Sequence, residues 1–190
     1  CSCKTKQFGE NSDRLHCFTC RSNVLCWINA HNDTVKRVVT ECKANGMVAD
    51  MTTAQLYETR KEHHVVPDIN AYDGKNIIVD FSFTDSKKSQ DGTTNGDKDF
   101  SSFKSLSIVA RESSKTRKFN ELAEKRGSDF YPFVIERTTM ALGPQAEAFC
   151  AIVSKSGSAE RSLIVRTSIV IAAVKAIAKM LKVKLHRDQT

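Results

Sequence analysis

Two aspartates stand in the middle of apolar runs. Asp68 lies in Val66-Pro67-Asp68-Ile69 and Asp80 in Ile78-Val79-Asp80-Phe81-Ser82, with Asp73-Gly74 between the runs. Asp is depleted in strands, and burying its charge without a partner is strongly unfavourable. Two such violations, joined by one hairpin, point to a divalent cation that compensates both, and hard oxygen donors suit Mg²⁺ or Mn²⁺. The competing reading is plainer: Asp68 starts a turn after Pro67, and Asp80 is a polar residue on a solvated strand face.

The hairpin register separates these readings. Alternation puts Ile78, Asp80 and Ser82 on one face of the second strand, and Ile77, Val79, Phe81 and Phe83 on the other, core-facing side. Asp68 shares a face with Asp80 only in an even register. A loop Tyr72-Asp73-Gly74, with Gly74 left-handed as a bulge, pairs Ala71 with Lys75 and Asp68 with Ile78. Asp68 then lies diagonal to Asp80. A two-residue turn at Asp73-Gly74 would place the carboxylates on opposite faces.

A third candidate comes from the helix expected over 103–126. Ile108, Val109, Phe119 and Leu122 define its apolar side. At about 100° per residue, Lys115 falls within that stripe, Lys118 on its flank, and Arg117 away from it. A lysine on an inward stripe is a local inconsistency, and these concentrate at functional sites. Beside metal-bound carboxylates an ammonium could position a water or stabilise charge developing at phosphorus. A lysine snorkelling from the stripe's edge would look the same in sequence.

Around these residues the chain reads as α/β (α+β): a mixed sheet flanked by helices, with a Cys/His-rich N-terminal segment and a C-terminal helical extension. Three parts are expected: 1–31, a core over 32–155, and a basic helix and tail over 156–190. In the core, Asn32 or Asp33 caps a helix whose stripe is Val35, Val38, Val39 and Cys42 and which ends at Gly46. Residues 47–64 are ambiguous, with a short helix possible over 53–60, and the hairpin spans about 65–84. Residues 85–99, without an apolar side chain, read as a flexible loop. A strand over 130–136 contains Pro132, which suits an edge or a strand start. Gly143-Pro144 opens a helix to about 154, and the last helix covers 158–182.

Composition narrows the partners. The 190 residues carry a formal charge of +7. Residues 151–190 hold eight Lys/Arg against two Asp/Glu, so +6 of the +7 lies there. A basic end of this kind suits a polyanion, nucleic acid first, through Lys182, Lys184 and Arg187 together with Lys118. Alternatively it is a solubilising helix with a frayed tail. Leu163–Leu181 is largely apolar, but Arg166, Lys175 and Lys179 project in different directions, which argues against a membrane span and for a buried or partner-covered helix. The chain begins at Cys1 without an initiator Met, so it is expected to be a piece of a longer polypeptide, and with no basic segment followed by an apolar one near Cys1 no secretory signal is expected. Five of the seven cysteines lie in the first 26 residues, a clustering that favours metal over disulfides. Cys17-x-x-Cys20 with Cys3 and Cys26 forms one candidate set, and spacing does not decide between the adjacent His16 and Cys17.

The ordered set resembles the restriction-like, PD-(D/E)XK-type endonuclease domain of early-branching, site-specific non-LTR retrotransposons. The elements are Cys1 and Cys3, His16-Cys-Phe-Thr-Cys20, Ala30-His31-Asn32, Pro67-Asp68, Asp80, Lys115-Thr-Arg-Lys-Phe119, Pro132-Phe-Val-Ile-Glu136 and Gly143. They cover about 1–145. The usual lysine two residues after the second acid is replaced by Ser82, with the lysine moved to the helix. Ala30 and Val66 stand where the family has bases, Phe119 where it has Tyr, and the segment before Gly143 is longer. The resemblance implies a restriction-endonuclease-like fold and Mg²⁺- or Mn²⁺-dependent DNA nicking that primes reverse transcription. It implies Asp68, Asp80 and Lys115 as catalytic, and a structural zinc on Cys1, Cys3, His16 and Cys20. It further implies DNA as substrate, element RNA met through the parent polypeptide, and an intracellular, nuclear location. The other function class is a non-catalytic nucleic-acid-binding module with structural zinc; metal-dependent nicking separates the two.

Overall fold

The computed structural model describes residues 24–52, 65–85, 106–155 and 158–187. The Cys1, Cys3, His16 and Cys20 set, the possible helix over 53–60 and most of the 85–99 loop lie outside them. Within them α1 (Val24–Ala44) leads to β1 (Val48–Met51), β2 (Ile69–Tyr72) and β3 (Asn76–Thr84). Then follow α2 (Leu106–Arg126), β4 (Asp129–Glu136), α3 (Pro144–Ser154) and α4 (Ala159–Arg187). The protein is mixed α/β. Its four strands lie in the order β1-β2-β3-β4, antiparallel except for the parallel pair β3/β4. Parallel neighbours need a long crossover, and α2 belongs to the connection here.

The helices divide between the two sheet faces. Ile77, Val79 and Phe81 of β3 join the main core with Val35, Val38 and Cys42 of α1, Phe149 and Val153 of α3, and Val165 and Ile169 of α4. On the other face Ile78 packs with Phe119, Leu122 and Ala123 of α2. The sequence-derived face assignment of β3 therefore holds, but the Asp80 face is covered rather than solvated. A strand enclosed on both sides reads as the near-continuous apolar run seen here.

Several local expectations change. The Asn32/Asp33 cap is not formed, because α1 begins a full two turns earlier and runs through both residues. Thr34 Oγ1 instead donates to the Ala30 carbonyl at 2.8 Å inside the helix. The stripe Val35, Val38, Val39 and Cys42 is buried, and Gly46, at φ +78°, ends the helix with Met47 N–H bonded to the Cys42 carbonyl. β1 is an additional strand from the ambiguous stretch. β4 is the edge strand on which Pro132 is tolerated. Val109 is exposed, since at about 100° from Ile108 it falls on the flank of the α2 stripe.

α4 turns Val165, Ile169, Ala173, Ile177 and Met180 inward, while Leu163, Ile164, Ile171 and Val174 remain exposed. Only one face of this apolar helix is thus buried. No helix among the described residues is long and apolar enough to cross a membrane.

At the C-terminal end of β4, Glu136 is fully buried and accepts hydrogen bonds from the Thr138 and Thr139 amides and from Thr139 Oγ1. Burial pushes its pKa up, but these bonds outweigh it and hold the carboxyl at about 2, against an ordinary 4.5. Because the folded pKa is depressed, the stabilisation is present above the ordinary value and is lost as pH falls from 4.5 towards 2. Glu136→Gln is expected to cost about 1.5–3 kcal/mol at neutral pH. It should also flatten that acid limb, as measured by urea titrations between neutral and acid pH. An unchanged acid limb would exclude Glu136 as its source.

Candidate active site

The hairpin satisfies the even-register requirement with a register displaced from the expected one. Tyr72 pairs with Asn76, Ala71 with Ile77 and Ile69 with Val79, so the loop is Asp73-Gly74-Lys75 rather than Tyr72-Asp73-Gly74. Gly74 has the expected positive φ, +73°. The displaced loop gives both flanking charges partners: Lys75 Nζ donates to Asp129 at 2.6 Å, and Asp73 pairs with Lys155 at 2.6 Å. Continued by one residue, the register sets Asp68 across from Asp80 instead of across from Ile78. A displacement by a whole pair preserves which face each side chain occupies.

Asp80 and Lys115 meet in the interior between β3 and α2. Lys115 Nζ donates to Asp80 Oδ2 and, at 3.1 Å, to the Phe81 carbonyl. Asp80 is 7 % exposed and Lys115 8 %, so both charges are removed from water and depend on each other. Burial raises the Asp80 pKa against the attraction of Lys115, and the Asp68 charge raises it further. Burial lowers the Lys115 pKa against the pull of Asp80, with the Arg111 charge adding to the depression. Burial therefore drives the two pKa values towards each other, against the mutual attraction of the pair.

Asp68 is held from two sides. Its Oδ2 accepts the Phe81 amide at 2.7 Å and lies 3.2 Å from His31 Nε2. The His31 ring stands edge-on to Phe81, with 5.2 Å between centroids, and its Nδ1 is 3.2 Å from Asn32 Oδ1. Burial works to lower the His31 pKa, but hydrogen bonding and attraction from Asp68 outweigh it, and the pKa is raised. Sequence reasoning included His31 only as part of a motif. Its place one helix away from Asp68 has no local signal.

Lys118 is exposed, with Nζ 4.9 Å from the centroid of the Phe119 ring, and it acts on Asp80 through space. Lys182 is exposed near the end of α4, which packs against α1 and α3 on the opposite side of the sheet from α2. Lys184 and Arg187 belong to the same helix. The structure thus gathers His31, Asp68, Asp80 and Lys115, and sets the C-terminal bases on another layer.

Glu112, unremarked in the sequence, anchors this arrangement. It is a buried acid between Ile108 and Lys115 on the inward stripe, and its Oε1 accepts the Gln145 amide at 3.1 Å. Burial raises its pKa, while the Gln145 and Ala146 amides oppose the rise. These amides open α3, whose first residues lack a cap from Gly143. The glycine is what lets the carboxylate in. A Cβ on Gly143 would meet Glu112 Oε1, with Cδ at 2.7 Å and Ile108 Cγ2 at 2.9 Å. Gly143→Ala should therefore destabilise by about 1–3 kcal/mol through overpacking. Chemical denaturation reads this directly; a neutral alanine would show that Glu112 moves freely.

Among the described residues no group of three or more His, Cys, Asp or Glu side chains is disposed to hold a metal ion. Asp68 and Asp80 are near enough for the charge of one to act on the other, and Mg²⁺ commonly uses one or two protein carboxylates and completes its shell with water and substrate phosphate. Asp68, a quarter exposed, offers the access. No protein-family model and no curated protein matches this chain.

Proposed function

We propose that this chain is a metal-dependent endodeoxyribonuclease domain of the restriction-like type. In this reading it resembles the domain with which early-branching, site-specific non-LTR retrotransposons nick their target DNA to prime reverse transcription. The observation that carries the reading is the convergence of Asp68, Asp80 and Lys115 from a hairpin and a separate helix, the three residues that the family pattern implies. Lys115 on α2 occupies the role of the lysine ordinarily found at the position of Ser82. The proposal includes a restriction-endonuclease-like core, structural zinc on Cys1, Cys3, His16 and Cys20, element RNA encountered through a longer polypeptide, and action in the nucleus.

Asp68 and Asp80 are the residues that would hold Mg²⁺ or Mn²⁺, which when bound supplies an acidified water and polarises the scissile phosphodiester. Around that centre the side chains divide the work. His31 and the Phe81 amide fix the orientation of the Asp68 carboxylate, leaving its second oxygen for a ligand. Lys115, fixed between Asp80 and the Phe81 carbonyl, presents its charge where negative charge accumulates as a pentacovalent phosphorus forms. Lys118 and the α4 bases Lys182, Lys184 and Arg187 are assigned to phosphate contacts away from the reacting bond.

The test is conversion of supercoiled plasmid to open circle with Mg²⁺ and with EDTA. Nicking in Mg²⁺ alone is the expected outcome. DNA retardation without nicking in Mg²⁺ or Mn²⁺ would replace the nuclease by a nucleic-acid-binding module.

A further inference from the structure

α2 sets one more cation beside Ser82 and Lys115, and among the described residues it has no acidic partner. Arg111 stands one helical turn before Lys115, on the side that faces β3. Its Nε lies 3.4 Å from the Ser82 hydroxyl, and its charge is near enough to lower the Lys115 pKa. Ser82 is buried on the rigid central strand, two residues beyond Asp80 on the same face, whereas Arg111 is exposed. Among the described residues Arg37, Arg137 and Arg166 each pair with a carboxylate, Glu41, Asp85 and Glu147 respectively. Arg111 has no such pair among them.

We propose that Arg111 binds a phosphodiester of the nucleic-acid strand crossing the Asp68/Asp80 site. The identity of the ligand rests on the nuclease reading. With Nε turned to Ser82, the terminal nitrogens of the guanidinium have no partner among the described residues, and their planar fork matches two phosphate oxygens. Ser82 acts as the backstop that keeps an exposed, long side chain aimed across the site. A polyanion approaching two carboxylates meets repulsion, and Lys115 is already committed to Asp80. Arg111 supplies the uncommitted positive charge at that point.

The experiment measures duplex-DNA binding without added Mg²⁺ or Mn²⁺ across a salt series, for wild type, Arg111→Ala, Arg111→Lys and Arg117→Ala. Arg117 is an exposed base about 240° further round the helix and serves as control. Arg111→Ala should reduce the slope of log K against log salt by about 0.9, the contribution of one duplex phosphate. Arg111→Lys should keep the slope but bind several-fold more weakly, since the charge remains and the fork is lost. Arg117→Ala should match wild type. An unchanged slope in Arg111→Ala, an equal fall in Arg117→Ala, or no binding by wild type overturns the proposal. Wild-type nicking in Mg²⁺ is scored separately. Nicking with an unchanged slope would sink the Arg111 contact alone, and a lowered slope without nicking would sink the nuclease reading alone.

Discussion

Asp68→Ala and Asp80→Ala are each expected to abolish the proposed Mg²⁺-dependent nicking while DNA retardation persists. Such a separation is expected because the two carboxylates bind no phosphate themselves, whereas affinity for DNA comes mainly from bases contacting its backbone. A fall of about 10³-fold corresponds to roughly 4 kcal/mol of lost transition-state stabilisation, a reasonable share for one metal-holding carboxylate. The two substitutions should differ in stability. Asp68 is a quarter exposed, and removing it leaves His31 and the Phe81 amide within reach of water. Removing Asp80 strands the Lys115 ammonium in the interior. The measurement is plasmid nicking beside electrophoretic retardation and melting temperature. Undiminished cleavage by both folded variants would remove Asp68 and Asp80 from the site.

Lys115→Met is expected to lower both cleavage and stability, and Lys118→Met to lower neither substantially. Loss of a preorganised charge at the reacting phosphorus typically costs roughly 10²–10³-fold in rate. Breaking a buried pair by deleting one member costs about 3–5 kcal/mol, because the remaining charge is left uncompensated. Pairing Lys115→Met with Asp80→Asn should restore much of that stability without restoring cleavage, since a neutral amide tolerates burial better than a lone carboxylate. Lys118 is exposed over Phe119, and its truncation removes only a surface contact. Denaturation and nicking of the four proteins decide the matter. If Lys118→Met proves the cleavage-sensitive substitution, the catalytic lysine has been misassigned. If the double variant remains as unstable as Lys115→Met, the cost lies in packing, not charge.

Much of this arrangement was legible along the chain because its signals are local. The run from Asn76 to Thr84 declared a strand, and its alternation separated Ile77, Val79 and Phe81 from Asp80 and Ser82. Gly46 and Gly74 marked a helix end and a turn through the positive φ each adopts. Helical periodicity placed Lys115, and not Lys118, on the inward side of α2. Those inferences need only a period of 2 or 3.6 and the steric rules of one residue.

Tertiary structure decided the contacts between distant segments. The α2 cover over Ile78 makes the Asp80 face dry and binds that acid to Lys115, while periodicity alone allowed a solvated strand and a snorkelling lysine. The loop settled on Asp73-Gly74-Lys75 because Asp129 and Lys155, far along the sequence, supply partners for its charges. The start of α1 was hidden by Asn32 and Asp33, good capping residues that the fold uses within a helix instead. His31 reached Asp68 only once α1 lay against β3. Glu112 found its amides only where Gly143 let α3 approach. Local rules thus placed each residue on a face of its own element, and the packing of one element on another decided which faces met.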